Sequence, residues 1–278
     1  MERYLNTHSI LKNIDTTPYV GFAALEQYPF LRYGFSTRLG GVSRGIFASM
    51  NLGFHRGDTD EHVIENYHRI CESIGICSEH LVCNDQVHKT QVRVAGKADW
   101  GMGFCKERDY AEIDAQITNE PGVPLVVFGA DCVPLFLVDP VKRVIGAAHA
   151  GWKGTVGRIG AITVRRMTEE FGTKPSDVHV VIGPSIGACC YEVGEEVAEC
   201  FAAEFASSEQ LLTPKDNGKY MLDLWTANRL SLQEAGVMAE HITTSGLCTM
   251  CRQDLFFSHR ATEGKRGSMA GFLMLGEE

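Results

Sequence analysis

An α+β fold of layered, mixed β-sheets flanked by helices is what this 278-residue sequence predicts. Strand-like runs come in groups instead of alternating strictly with helical segments, which argues against a doubly wound parallel sheet. Four segments carry apolar residues at helical spacing. No repeat, low-complexity tract or Pro- or Ser-rich linker breaks the pattern. Residues 1–278 are therefore expected to form one domain.

The first helix is predicted over Asp60–Ile74. Val63, Tyr67, Ile70 and Ile74 share one face, Gly75 is a natural stop, and Asp58 with Glu61 resembles a capping box. A second helix follows the glycine-rich turn at Gly154, with Val156, Ile159, Thr163, Met167 and Phe171 on one face and Gly172 at its end. Val197, Phe201 and Phe205 mark a third. Asp223 caps a fourth, which closes at Gly236. Strands are expected at Gln91–Val94, Ile113–Thr118, Leu125–Phe128, Val133–Val138, from Val144, at Val178–Ile182 and at Met269–Leu275.

Composition narrows the function. Hydrophobic residues make up 44% of the chain, enough for a substantial core. No apolar run approaches the roughly 20 residues that cross a bilayer. The start, Met1-Glu2-Arg3-Tyr4-Leu5-Asn6, lacks the apolar centre of a signal peptide. Ten irregularly spaced cysteines then read as reduced thiols, and a cytoplasmic protein is expected. A formal charge of -9 with scattered Lys and Arg argues against nucleic acid and for small-molecule partners.

Two segments carry the candidate chemistry: Phe128-Gly129-Ala130-Asp131-Cys132-Val133-Pro134 and Ala147-Ala148-His149-Ala150-Gly151-Trp152-Lys153-Gly154. The turn Asp139-Pro140-Val141-Lys142 between them suggests a hairpin that brings Cys132 and His149 together. A thiolate beside an imidazole is a nucleophile with its base, or two ligands of one metal. His88, in Gln86-Val87-His88, would complete a His/Cys/His donor set with the fourth position open, the pattern of a catalytic zinc site. Spacing alone does not select this trio from ten histidines and ten cysteines.

Other signals are weaker. Cys248-Thr249-Met250-Cys251 is a CxxC without a second pair at the usual spacing, and a non-metal, non-redox role is expected for it. Cys189-Cys190 read as structural thiols. The Gly151–Gly157 segment leads into a helix, so its N–H groups with Lys153 could hold an anion. It is not a P-loop, because the Gly-Lys-Ser/Thr ending is absent.

Taken together, Gly40-Gly41-Val42-Ser43, Asn51-Leu52-Gly53, Gln86-Val87-His88, Ala130-Asp131-Cys132-Val133-Pro134 and His149-Ala150-Gly151-Trp152-Lys153-Gly154 resemble the YfiH-type laccase-domain family. That family is also called multicopper polyphenol oxidoreductase-like or purine nucleoside phosphorylase-like. Ile182-Gly183-Pro184-Ser185-Ile186, Tyr191-Glu192-Val193, Leu222-Asp223-Leu224, Cys248-Thr249 and Phe256-Phe257-Ser258 continue the resemblance in family order. It departs at His259-Arg260-Ala261, where the family often has Tyr-Arg-Arg, and at Lys153, where Arg is common.

The resemblance implies zinc on His88, Cys132 and His149, with copper as a conceivable substitute. It also implies phosphorolysis of adenosine, inosine and S-methyl-5'-thioadenosine, with an accompanying adenosine deaminase activity. For these reactions Asp131 is the candidate proton shuttle, and Lys153 and Arg44 are the candidate phosphate ligands. Three rivals stand beside this reading. They are a metal-free cysteine hydrolase or deamidase with Cys132 as nucleophile and His149 as base, a peptidoglycan-precursor editing enzyme, and a non-catalytic metal-dependent binding module. Multicopper oxidase chemistry is disfavoured, because the chain contains no His-x-His.

Overall fold

The hairpin expected around Asp139–Lys142 forms from strands Val133–Asp139 and Val144–Ala150, paired antiparallel from Val144 opposite Asp139 to Ala150 opposite Val133. Its turn is closed by Asp139, whose Oδ1 accepts the main-chain N–H groups of Val141 and Lys142. In the computed structural model, which describes residues 1–277, this hairpin is the centre of a six-stranded sheet. The order is Ile242–Thr244, His179–Ile182, Val133–Asp139, Val144–Ala150, Ala115–Thr118 and Val92–Val94. The two outer pairs are parallel and the rest antiparallel.

A seven-stranded sheet lies against it. Its order is Arg3–Tyr4, Ser9–Lys12, Tyr19–Phe22, Leu31–Ser36, Met269–Leu275, Leu125–Gly129 and Val82–Cys83. Both sheets are covered on both faces. Phe22, Phe35, Leu125, Val127 and Leu273 meet Phe136, Val138, Ile145 and Val181 between the sheets. On the far side of the seven-stranded sheet, Val126 and Phe272 pack on Val63, Tyr67 and Ile70 of helix Asp60–Ile74. On the far side of the six-stranded sheet, Leu135, Leu137 and Ala148 pack on Ile159, Val164, Met167, Phe201 and Leu232 from helices Ile159–Phe171, Glu195–Glu204 and Leu224–Glu234. The layering is helix, sheet, sheet, helix. Burial on both faces is why Leu125–Phe128 and Val133–Val138 read as unbroken apolar runs and not as alternating ones.

Several local expectations shift. Thr59, and not Asp58, caps the first helix by accepting from His62 N–H, while Asp58 accepts from Thr59 N–H and Asn51 Nδ2. The second helix is two: Trp152–Val156 and Ile159–Phe171, separated where Arg158 takes a left-handed φ of 59°. Three strands precede residue 23, and Val20, Phe22 and Leu25 are fully buried in the hydrophobic interior. Their runs are too short to register as periodic patterns. Among the described residues, no helix is long and apolar enough to cross a membrane.

Candidate functional site

The hairpin register carries His149 opposite Pro134, so the chain just before that strand, Asp131-Cys132, lies beside His149 and Gly151. His88 comes from a separate loop and reaches the same point. The three donor atoms lie within 4.8 Å of one another, with Cys132 Sγ 3.9 Å from His88 Nε2. The rings of His88 and His149 meet edge to face at a centroid distance of 4.7 Å.

Asp114, which no motif in the sequence singles out, organises this convergence. It is fully buried at the start of the strand next to His149. Its Oδ1 takes His149 Nδ1 at 2.8 Å and His88 N–H at 3.0 Å; its Oδ2 takes Val87 and Lys89 N–H at 3.2 and 2.8 Å. Its own carbonyl accepts His149 N–H at 2.8 Å. Burial opposes ionisation of Asp114, but His149 and the main-chain donors outweigh it and hold the carboxyl below its usual range. An ionised carboxylate only accepts, so His149 Nδ1 carries the proton and its Nε2 lone pair is left for Cys132 or a metal. Its one mark in the sequence is a carboxylate inside the strand-like run Ile113–Thr118.

The His88 loop is fixed from the other side by Gln86. Its amide donates to Phe128 O at 2.9 Å and accepts from Phe128 N–H at 2.6 Å, mimicking a strand pair. His88 itself sits at φ 64°, a left-handed conformation that this clamping sustains. Gly151 leaves room for the trio: a Cβ there would lie 2.9 Å from His88 Cδ2 and 3.2 Å from Cys132 Sγ.

Asp131 also takes a left-handed φ, of 89°. Its carboxylate accepts Thr249 Oγ1 at 2.6 Å, Ser258 Oγ at 3.0 Å and Arg260 N–H at 2.7 Å, and its carbonyl accepts Ile186 N–H at 2.9 Å. These bonds commit it to holding the chain before Cys132.

The trio opens into a cavity of about 1260 Å³. Its walls include the aromatic residues Phe104, Tyr110, Phe128 and Trp152 and the basic residues Arg56, His259 and Arg266. Arg266 donates to Gly267 O and Ser268 Oγ, while its buried Nε has no partner among the described residues. Burial and the neighbouring Arg56 lower its pKa to about 10. Two guanidinium groups held together in this way suit an anion. Lys153 and Arg44, the expected phosphate ligands, do not line the cavity: both are exposed, and Lys153 Nζ lies over the Trp152 ring at 5.5 Å. A helix of five residues turns Lys153 outward one position after Trp152.

Burial raises the Cys132 thiol, yet His149 and His88 outweigh it and bring it down to about 6. Burial likewise opposes charge on His149, while Cys132 and Asp114 push it up to about 9. In the metal-free pair each group thus favours the charged form of the other. Alkylation of Cys132 in chelated protein is expected to be half-maximal near pH 6, because deprotonation creates the nucleophile. Mass-resolved iodoacetamide labelling across pH checks this; a half-point near the ordinary thiol value of about 8.5 would refute the pairing.

The family described as multi-copper polyphenol oxidoreductase laccase matches residues 32–276. The chain belongs to this family. It is 41% identical over 248 residues to a protein named purine nucleoside phosphorylase YlmD from Bacillus subtilis, covering 88% of both chains. It is 34% identical over 229 residues to adenosine deaminase RL5 from an unknown prokaryotic organism, covering 81% of this chain and 87% of that one. The crystal structure of YlmD from Geobacillus stearothermophilus superposes with a TM-score of 0.90 at 37% identity, covering 97% of this chain and 100% of that one. Membership supports an enzyme of mixed α and β structure with a candidate His/Cys metal site.

Proposed function

We propose that this family member is a zinc-dependent purine nucleoside phosphorylase with adenosine deaminase activity, working at His88, Cys132 and His149. The observation that carries the proposal is one cavity holding both a His/Cys/His donor set and an arginine pair. The names of the relatives supply the purine. The donors fit a borderline-soft ion: one sulfur, two imidazole nitrogens, a carboxylate behind His149 and a glycine that keeps the space clear. Zinc held there would supply Lewis-acid chemistry for hydrolysis at neutral pH.

The rest falls to the chain's own side chains. Arg56 and Arg266 would hold hydrogen phosphate so that one of its oxygens bonds to ribose C1' as the C1'–N9 bond breaks. The electron pair of that bond leaves with the purine, which takes up the proton that the phosphate gives up. Phe104, Phe128 and Trp152 provide apolar walls for the base. Asp131 serves by position, since its carboxylate is spent on Thr249, Ser258 and Arg260. Zinc-loaded protein is expected to convert adenosine to adenine and ribose 1-phosphate with phosphate present, and to inosine without it. Chromatography of the two reactions tests this. Absence of both products would sink the reading and leave the Cys132–His149 hydrolase, which the charged metal-free pair favours.

Phenol oxidation is expected to be negligible in copper-free, zinc-loaded protein, because the chain has no His-x-His ligand pairs. Oxygen consumption on a phenolic substrate is the measurement, and rapid turnover without copper would count against the proposal.

A further inference from the structure

The CxxC at Cys248–Cys251 lacks a partner pair in sequence, but the fold supplies one. Ser185 and Cys248 form a parallel bridge, with Ser185 N–H on Leu247 O at 3.2 Å and Thr249 N–H on Ser185 O at 3.1 Å. This lays the Gly183–Tyr191 loop along the CxxC turn and brings Cys189 and Cys190 to it. The four sulfurs lie within 4.8 Å of one another. Cys251 Sγ is 3.6 Å from Cys189 Sγ and 3.4 Å from Cys190 Sγ.

We infer that Cys189, Cys190, Cys248 and Cys251 bind a second, structural zinc ion, separate from the His88–Cys132–His149 site. Four thiolates at about 2.3 Å around a tetrahedral ion are spaced about 3.8 Å apart, close to what the chain already presents. A closed set of four protein donors is the mark of a structural site and leaves no position for substrate. Main-chain donors complete the case, since N–H groups of Gly187 and Cys251 both point at Cys248 Sγ. Such N–H···S contacts orient a metal-bound thiolate and spread its charge.

The position gives the ion a task. Thr249 lies inside the CxxC and holds the Asp131 carboxylate, and Ile186 N–H holds the Asp131 carbonyl. Tyr191 follows Cys190 and lines the cavity. Fastening the two loops together therefore fixes the chain entering Cys132 from outside the reacting site.

The test uses the full chain, purified in reductant without chelator, with zinc measured per chain. About two zinc ions are expected, falling to about one in Cys248→Ser/Cys251→Ser and to about one in Cys132→Ser. The second variant separates this inference from the catalytic reading: it loses the other ion and keeps this one. Because the double variant can fail to fold, cysteine-resolved alkylation of wild-type protein stands beside it. Cys189 and Cys251 should resist reagent while exposed Cys77, Cys105 and Cys200 react, and chelation should release them. Labelling of Cys189 and Cys251 as fast as Cys77, or protection opened by thiol reductant and not by chelator, would overturn the inference.

Discussion

Asp114→Asn is expected to weaken metal binding at the His88–Cys132–His149 trio by roughly 10–100-fold, the usual cost of losing a carboxylate behind a ligating histidine. Asparagine keeps the size but can offer its amide N–H to His149 Nδ1. That reverses the ring's tautomer and puts a proton on the nitrogen that should face the ion. The variant also weakens the acceptor for the N–H groups of residues 87–89, so the His88 loop loosens at the same time. The pH dependence follows from the lowered carboxyl. Its stabilisation is fully present at neutral pH and fades only as acid carries the solution through the folded-state value, below the ordinary range. Variant and wild type should therefore differ most near neutrality and converge in acid. Chelator competition for affinity and thermal melts across pH measure both. Wild-type affinity in a folded variant would remove Asp114 from this role.

Arg266→Met is expected to lower phosphorolysis by about 10²–10³-fold, the loss typical of removing one preorganised donor aimed at transition-state charge. Deamination should change by no more than a few-fold, since water replaces phosphate there. Methionine preserves most of the buried stem, and removing the charge relieves Arg56, so the fold should tolerate it. A rise in the phosphate KM with the nucleoside KM unchanged would locate the defect at the anion. Lys153→Ala is the companion measurement: it should leave both reactions near wild type, because Lys153 sits outside the cavity over Trp152. Equal loss of both reactions in Arg266→Met would mean a structural role, and a selective loss in Lys153→Ala would move phosphate to the helix start.

What could be read from sequence tracks how local each cause was. Helix Asp60–Ile74 and strand Met269–Leu275 emerge with the expected bounds, because an amphipathic period or a doubly buried run is written in consecutive residues. The Cys132–His149 approach was legible because one turn, Asp139–Lys142, sets it. The break at Arg158 was hidden: the apolar period continues through it, and only a left-handed backbone residue marks it. Asp114, Arg56 and Arg266 were hidden for another reason. Each acts on groups brought close by sheet pairing, and nothing in the flanking residues announces those partners. The same holds for Cys189 and Cys190, whose pairing with Cys248 and Cys251 spans some sixty residues.

Strand Met269–Leu275 sits in the interior of the seven-stranded sheet, between Leu31–Ser36 and Leu125–Gly129. During synthesis, the N-terminal strands and the Leu125–Gly129 strand must wait on either side of an empty slot until this late segment leaves the ribosome. The unfilled slot exposes two ladders of unpaired N–H and C=O groups flanked by apolar side chains, the kind of surface that draws chaperones or neighbouring chains. Insertion of the last strand then joins the sheet and, through the segment just before it, delivers Ser258 and Arg260 to Asp131. The strand that joins the two parts of this sheet is thus preceded by the very residues that fasten the chain entering Cys132.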